Sequence, residues 1–232
     1  MHWSKARFHY IPRARSVKAT DNSIVWIFYI LNIHGVERSN ILKTSAMADM
    51  MSEKWMIAFK LVDFNQDGVV NVKDRDDCIQ SFLSVFQPGD GRKQKMTNQL
   101  NEFWDKIVFL TENPDWSKAL TPDEFLATRK DAYTKDSTRT TTVVRDALKQ
   151  LINAGNVDES GHFTYEEFKT LHEAFNLKEE NLVKGIYSMI GPDANGKISV
   201  DNVADFYTEL AMGNDEGKHA QYKTALASVG FV

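Results

Sequence analysis

One unit recurs four times between residues 47 and 232: a run with apolar residues at helical spacing, a polar loop of about twelve residues, and a second helical run. This repeat constrains the fold more than any other feature of the chain. A helix with one apolar stripe must bury it against others, so the units predict an all-α protein of paired helix–loop–helix modules.

The first loop reads Asp63-Phe-Asn65-Gln-Asp67-Gly68-Val69-Val70-Asn71-Val72-Lys73-Asp74. Oxygen side chains stand at loop positions 1, 3 and 5, and glycine at 6, where the chain turns sharply. Val69 offers a backbone carbonyl, Asn71 reaches through water, and Asp74 closes the set with a carboxylate. That is the donor pattern of a hard divalent cation. Trp55, Ala58, Phe59 and Val62 share a helical face before the loop, and Cys78, Ile79 and Phe82 share one after it. Asp74 is shorter than the glutamate that binds calcium with both oxygens. Weaker calcium binding with magnesium competition is therefore expected at this loop.

The third unit supplies Asn156, Asp158, Ser160, the His162 carbonyl and Glu167, with Thr164 at position 9. Its first ligand is neutral, which predicts a working but weakened site. The second unit gives Asn113, Asp115, Ser117, the Ala119 carbonyl, Thr121 and Glu124. Lys118 stands where glycine belongs, and Trp104, Ile107 and Val108 are phased for a loop starting one residue earlier. The fold is expected here more firmly than the metal.

The fourth loop, residues 191–202, has Gly191 and Asn202 where the first and last carboxylates should be, so no ion is expected. Val70 and Leu120, and Phe163 and Ile198, occupy position 8 of their loops and predict short β-bridges within two pairs. The same fourth loop also reads as Gly191-x-x-x-x-Gly196-Lys197, near a phosphate-cradling motif. That motif needs a preceding strand, a Ser or Thr where Ile198 stands, and a helix starting at the lysine.

Charge divides the chain. Residues 1–46 carry seven Lys/Arg against two acids, and the remainder 21 basic against 30 acidic residues. An acidic body excludes nucleic acid as a partner and suits cations. The single cysteine, Cys78, excludes an internal disulfide and points to a reducing compartment. The apolar run Ile24–Leu31 is about half the ~18 residues or more of a membrane span, and no cleavage signal follows it promptly. Residues 1–46 are expected to be a disordered or loosely packed extension, with Met47 or Met50 as an alternative start.

The 186 residues from Met47 resemble the invertebrate sarcoplasmic calcium-binding protein and calexcitin family of EF-hand proteins. The likeness is most specific in Phe103-Trp104-Asp105, in Phe206-Tyr207-Thr208-Glu209-Leu210, and in Gly213-Asn214-Asp215-Glu216-Gly217. It implies two EF-hand pairs, at 47–135 and 136–232, in a cytoplasmic monomer that buffers calcium and magnesium or responds to calcium. Ions are implied in the first three loops, where Asn113, Lys118 and Asn156 depart from the pattern. Some insect relatives have been described as juvenile hormone diol kinases, which makes a nucleotide-using kinase one alternative. Photoproteins and luciferin-binding proteins share the architecture, which makes a hydrophobic-ligand protein another.

No H-E-x-x-H, G-x-S-x-G or Cys–His pattern appears, so no enzyme is expected. Metal ions are the expected partners, with a protein target if the chain is a sensor, and no stable membrane insertion. Met47, Met50, Met51, Met56 and Met96 gather at and after the first helix and hint at a target-binding surface.

Overall fold

The structure, a computed structural model, describes residues 35–110 and 114–227, with side chains from residue 47 onward except those of 225 and 226. Nine helices occur among the described residues. They are α1 (Gly35–Val62), α2 (Val72–Phe86), α3 (Asp90–Phe109), α4 (Pro122–Lys135), α5 (Ser137–Gly155), α6 (Tyr165–Ala174), α7 (Glu180–Ile190), α8 (Val200–Met212) and α9 (Glu216–Ala227). Two short strands, β1 (His162–Phe163) and β2 (Ile198–Ser199), lie in the third and fourth loops. The all-α fold of four helix–loop–helix units is thus present. No described helix is long and apolar enough to cross a membrane.

The expected position-8 pairings both occur. Val70 and Leu120 exchange two backbone hydrogen bonds, of 2.9 and 2.8 Å. Phe163 pairs with Ile198 and His162 with Ser199 in an antiparallel ladder. All four position-8 side chains are apolar; Val70, Phe163 and Ile198 are fully buried, so each bridge fastens two loops together beneath a layer of core.

Helical periodicity placed the core well. Phe59, Phe82, Phe103, Trp104, Ile107, Phe125, Ile152, Phe168 and Val203 join one cluster. Trp55 sits with Met50 and Met51 in a smaller one, covered by Leu126 and Tyr133. The methionine surface is a different matter. Met50, Met51 and Met96 are buried, Met56 is half-buried, and Met47 alone of the five is exposed. Their spacing on α1 and α3 matches packed helix faces, which sequence proximity could not distinguish from a surface patch.

Helix α1 begins twelve residues ahead of Met47, so residues 35–46 continue the first helix. Residues 1–34 lie outside the described part.

The end of α3 is held by Arg129 of α4, whose buried guanidinium donates to the carbonyls of Ile107 and Val108. It stacks 3.2 Å from the Phe125 ring centre, and burial lowers its pKa to about 9. A cation at a helix C-terminus satisfies carbonyls that have no partner within the helix.

Candidate metal centres

Each loop runs directly into a helix, and the start of that helix determines where the last ligand points. Asn71, Thr121 and Thr164, all at position 9, are the N-caps of α2, α4 and α6. Asp74, Glu124 and Glu167, all at position 12, return to the N-cap backbone N–H and complete three capping boxes. The residue expected as the final ligand is therefore also a helix cap. Ser199 caps α8 in the fourth loop, where Asn202 donates its N–H to the serine hydroxyl.

In loop 1 the carboxylates organise the turn. Asp63 Oδ2 accepts from the Gly68 N–H at 3.0 Å, and Asp63 Oδ1 accepts from Asp67 at 3.1 Å. Asp74 Oδ1 accepts from Asn65 at position 3, while Oδ2 accepts from Asn71 at position 9. Asp74 thus ties the incoming half of the loop to the outgoing half. Gly68 has φ +90, a conformation that side chains resist, which explains the glycine at position 6.

Asp74 is fully buried and Asp63 is 8% exposed. Burial raises the Asp74 pKa above the ordinary carboxylate value, and repulsion from Asp63 and Asp67 raises it further. The N–H groups of Asn71 and Asn65 pull the other way. The Asn65 side-chain nitrogen is buried without a hydrogen-bond partner. Among the described residues no three His, Cys, Asp or Glu side chains form a ready-made cage. The loop-1 oxygens are instead turned onto backbone N–H groups. Three acidic side chains, an amide oxygen and the Val69 carbonyl fit a hard divalent cation, which would compete with those N–H groups for the same lone pairs.

Loop 3 has the same backbone and a different chemistry. Asn156 Oδ1 accepts from Gly161 at 2.9 Å, in the manner of Asp63 and Gly68. Its amide nitrogen must then face inward, donating to the His162 carbonyl at 2.9 Å and to Asp158 Oδ1 at 3.2 Å. Both acceptors are expected ligands. A carboxylate at position 1 can serve the glycine with one oxygen and an ion with the other. A carboxamide has one oxygen for two tasks. Ser160 also donates to the His162 carbonyl, and Glu167 Oε2 is engaged by the Thr164 backbone and hydroxyl.

A residue without any sequence signal completes this loop. Arg92, on α3, donates from Nη2 to the carbonyls of Asn153, Ala154 and Asn156 at 2.8 to 3.1 Å. Its Nη1 meets Glu159 at 3.2 Å, which Lys95 also contacts at 2.7 Å. The guanidinium caps the C-terminus of α5 from more than sixty positions away in sequence, a separation no local pattern reports.

Loop 2 is partly outside the described residues, and Asn113 lies there. Asp115 accepts from the Ser117 N–H and hydroxyl, and Lys118 approaches it at 3.5 Å. The lysine brings positive charge to the ligand set. Trp116, not foreseen as structural, donates to Asp105 at 2.7 Å and packs edge-on against Phe109. Ala119 is exposed, beside the Leu120 bridge. Glu124 is held below the usual carboxylate range by the backbone N–H and hydroxyl of Thr121.

In loop 4, Asp193 Oδ1 accepts from Asn195 and Lys197, and the Tyr187 hydroxyl reaches the Gly196 carbonyl at 2.5 Å. Gly191 ends helix α7 with φ +83. A helix stands where a phosphate loop requires a strand, Asp193 occupies two of the loop's N–H groups, and α8 begins three residues beyond Lys197.

These features define a four-EF-hand fold. No family model matches the chain. It is similar to the sarcoplasmic calcium-binding protein of Mizuhopecten yessoensis, 20% identical over 180 residues that cover 78% of this chain and 99% of that protein. It is also 25% identical, over 72% of its length, to calcium-dependent protein kinase 9 of Arabidopsis thaliana, of which the match covers 30%. Among solved structures, the calcium-loaded apo form of the coelenterazine-binding protein from Renilla muelleri has a TM-score of 0.59 at 16% identity, covering 80% of this chain and 96% of that one. A calcium-binding protein from Streptomyces coelicolor has a TM-score of 0.52 at 19% identity, covering 68% and 98%.

Proposed function

We propose that this chain binds calcium, with loop 1 as its principal site, and acts as a cytoplasmic calcium buffer. The observation that carries the reading is the buried Asp74 facing Asp63 and Asp67 across a turn that Gly68 permits. A divalent cation offsets the repulsion among three carboxylates and replaces N–H donors with a stronger charge partner. Asp63, Asn65, Asp67, the Val69 carbonyl and Asp74 hold the ion, with Asn71 acting through water. Magnesium competes because Asp74 is short. Similarity to proteins named for calcium binding supports this assignment.

Loop 3 retains Asp158, Ser160, the His162 carbonyl and Glu167, but its Asn156 amide opposes an ion. Loop 2 offers Asp115, Ser117, Ala119 and Glu124 against the charge of Lys118. Loop 4 binds none. The two pairs, 47–135 and 136–232, are each held by their position-8 bridge.

Calorimetric titration tests the assignment: one dominant calcium site is expected, lost in Asp63→Ala. An unchanged isotherm in that variant would remove loop 1 from the account. A second reading, an apolar ligand, is favoured by a partly open apolar cavity between the helices.

A further inference from the structure

Helices α1, α3, α5, α6 and α8 line a partly open cavity of about 120 Å³. Leu61, Phe103, Ile152, Leu171 and Leu210 contribute one wall residue from each helix. Protein interiors are close-packed, and a void of this size forfeits contacts along its whole lining. An engineered apolar cavity of roughly 150 Å³ stays dry and takes up benzene. The volume here suits a single ring or a short branched hydrocarbon.

The polar side chains in the wall determine the class of occupant. His172 Nδ1 lies 2.7 Å from the Phe168 carbonyl, which can only accept, so Nδ1 carries the proton. The buried imidazole is neutral, its pKa pushed down to about 4. Nε2 is then an acceptor, and the Tyr207 hydroxyl donates to it at 2.5 Å. Lys54 donates to the carbonyls of Glu209 and Gly213 at 3.1 and 2.7 Å, clasping the end of α8. His172 and Tyr207 are committed to one another and Lys54 spends two of its three N–H donors on the end of α8, so the surface left facing the cavity is almost wholly apolar.

From this arrangement we infer that the cavity is a binding site for a small hydrocarbon-like molecule with no hydroxyl or amine on its buried part. The inference rests on the second reading above and names its ligand class. A polar group entering the cavity would exchange water for an almost wholly apolar wall, which costs affinity. Val62, also in the wall, directly precedes loop ligand Asp63. Any effect of calcium on the ligand must therefore appear reciprocally as an effect of the ligand on calcium.

Toluene and phenol, of nearly equal size, separate the possibilities when titrated into the full chain by calorimetry and ligand-observed NMR. Toluene is expected to bind roughly tenfold or more tighter than phenol. Tyr207→Phe exposes the His172 acceptor, so phenol should gain roughly fivefold while toluene is unchanged. Leu148→Phe or, if that variant does not fold, Ala211→Leu fills the cavity and should abolish toluene binding. If neither probe binds the wild-type chain, or filling has no effect on binding, the ligand reading itself falls. If both bind equally and Tyr207→Phe leaves phenol unchanged, a ligand site stands but the class inferred here is wrong.

Discussion

Loops 1 and 3 fold onto nearly the same hydrogen-bond frame and differ at the atom that matters. In both, position 1 accepts the N–H of the position-6 glycine, and position 12 caps the outgoing helix. Asp63 offers oxygen on both sides of its carboxylate. Asn156 offers oxygen to Gly161 and N–H to the His162 carbonyl and Asp158, two of the expected ligands. The exchange of one oxygen for NH₂ separates a loop with a free carboxylate lone pair at position 1 from one that supplies its own donor there. Backbone similarity therefore says little about ion binding.

The sharpest way to break this comparison is to exchange the two residues. Asp63→Asn should reproduce the loop-3 pattern in loop 1 and lower calcium affinity by roughly 100-fold or more, as a charged ligand is lost and a donor is turned inward. Calorimetry reads this directly, and wild-type affinity in the variant would refute the amide argument. Conversely, Asn156→Asp should add one calcium per chain, with a gain at loop 3 of roughly 100-fold. That new ion should vanish again in Asn156→Asp combined with Glu167→Gln.

Arg92→Ala sharpens the contrast from another side. It removes the guanidinium that caps α5 and should lower stability by about 2 kcal/mol, given three backbone acceptors left without it. Hydrogen exchange should rise around residues 153–161 while the loop-1 calcium isotherm stays put. The smallest effect concerns selectivity. Asp74→Glu lengthens the last ligand and should improve calcium over magnesium by roughly tenfold, measured by titration at fixed magnesium.

The sequence carried much of this architecture because the relevant signals are local. Apolar residues at helical spacing located the helices, and position 8 located the bridges Val70–Leu120 and Phe163–Ile198. What it could not carry is orientation and distance. The letter of Asn156 does not say which end of its amide faces Gly161. Arg92 and the Trp116–Asp105 bond join residues that no local pattern connects. The methionines looked like a surface because they cluster in sequence, whereas two helices divide them into separate parts of the core.

The capping boxes have a consequence beyond local geometry. Positions 9 and 12 start α2, α4 and α6 through hydrogen bonds within the chain, so helix initiation draws on contacts that need no ion. Ion affinity and helix initiation are thus separable properties of each loop. A hand that lost its metal by a single substitution at position 1 would still hold its place in the fold. Divergence in such a chain can therefore retune its four hands one at a time, with the scaffold as the constant.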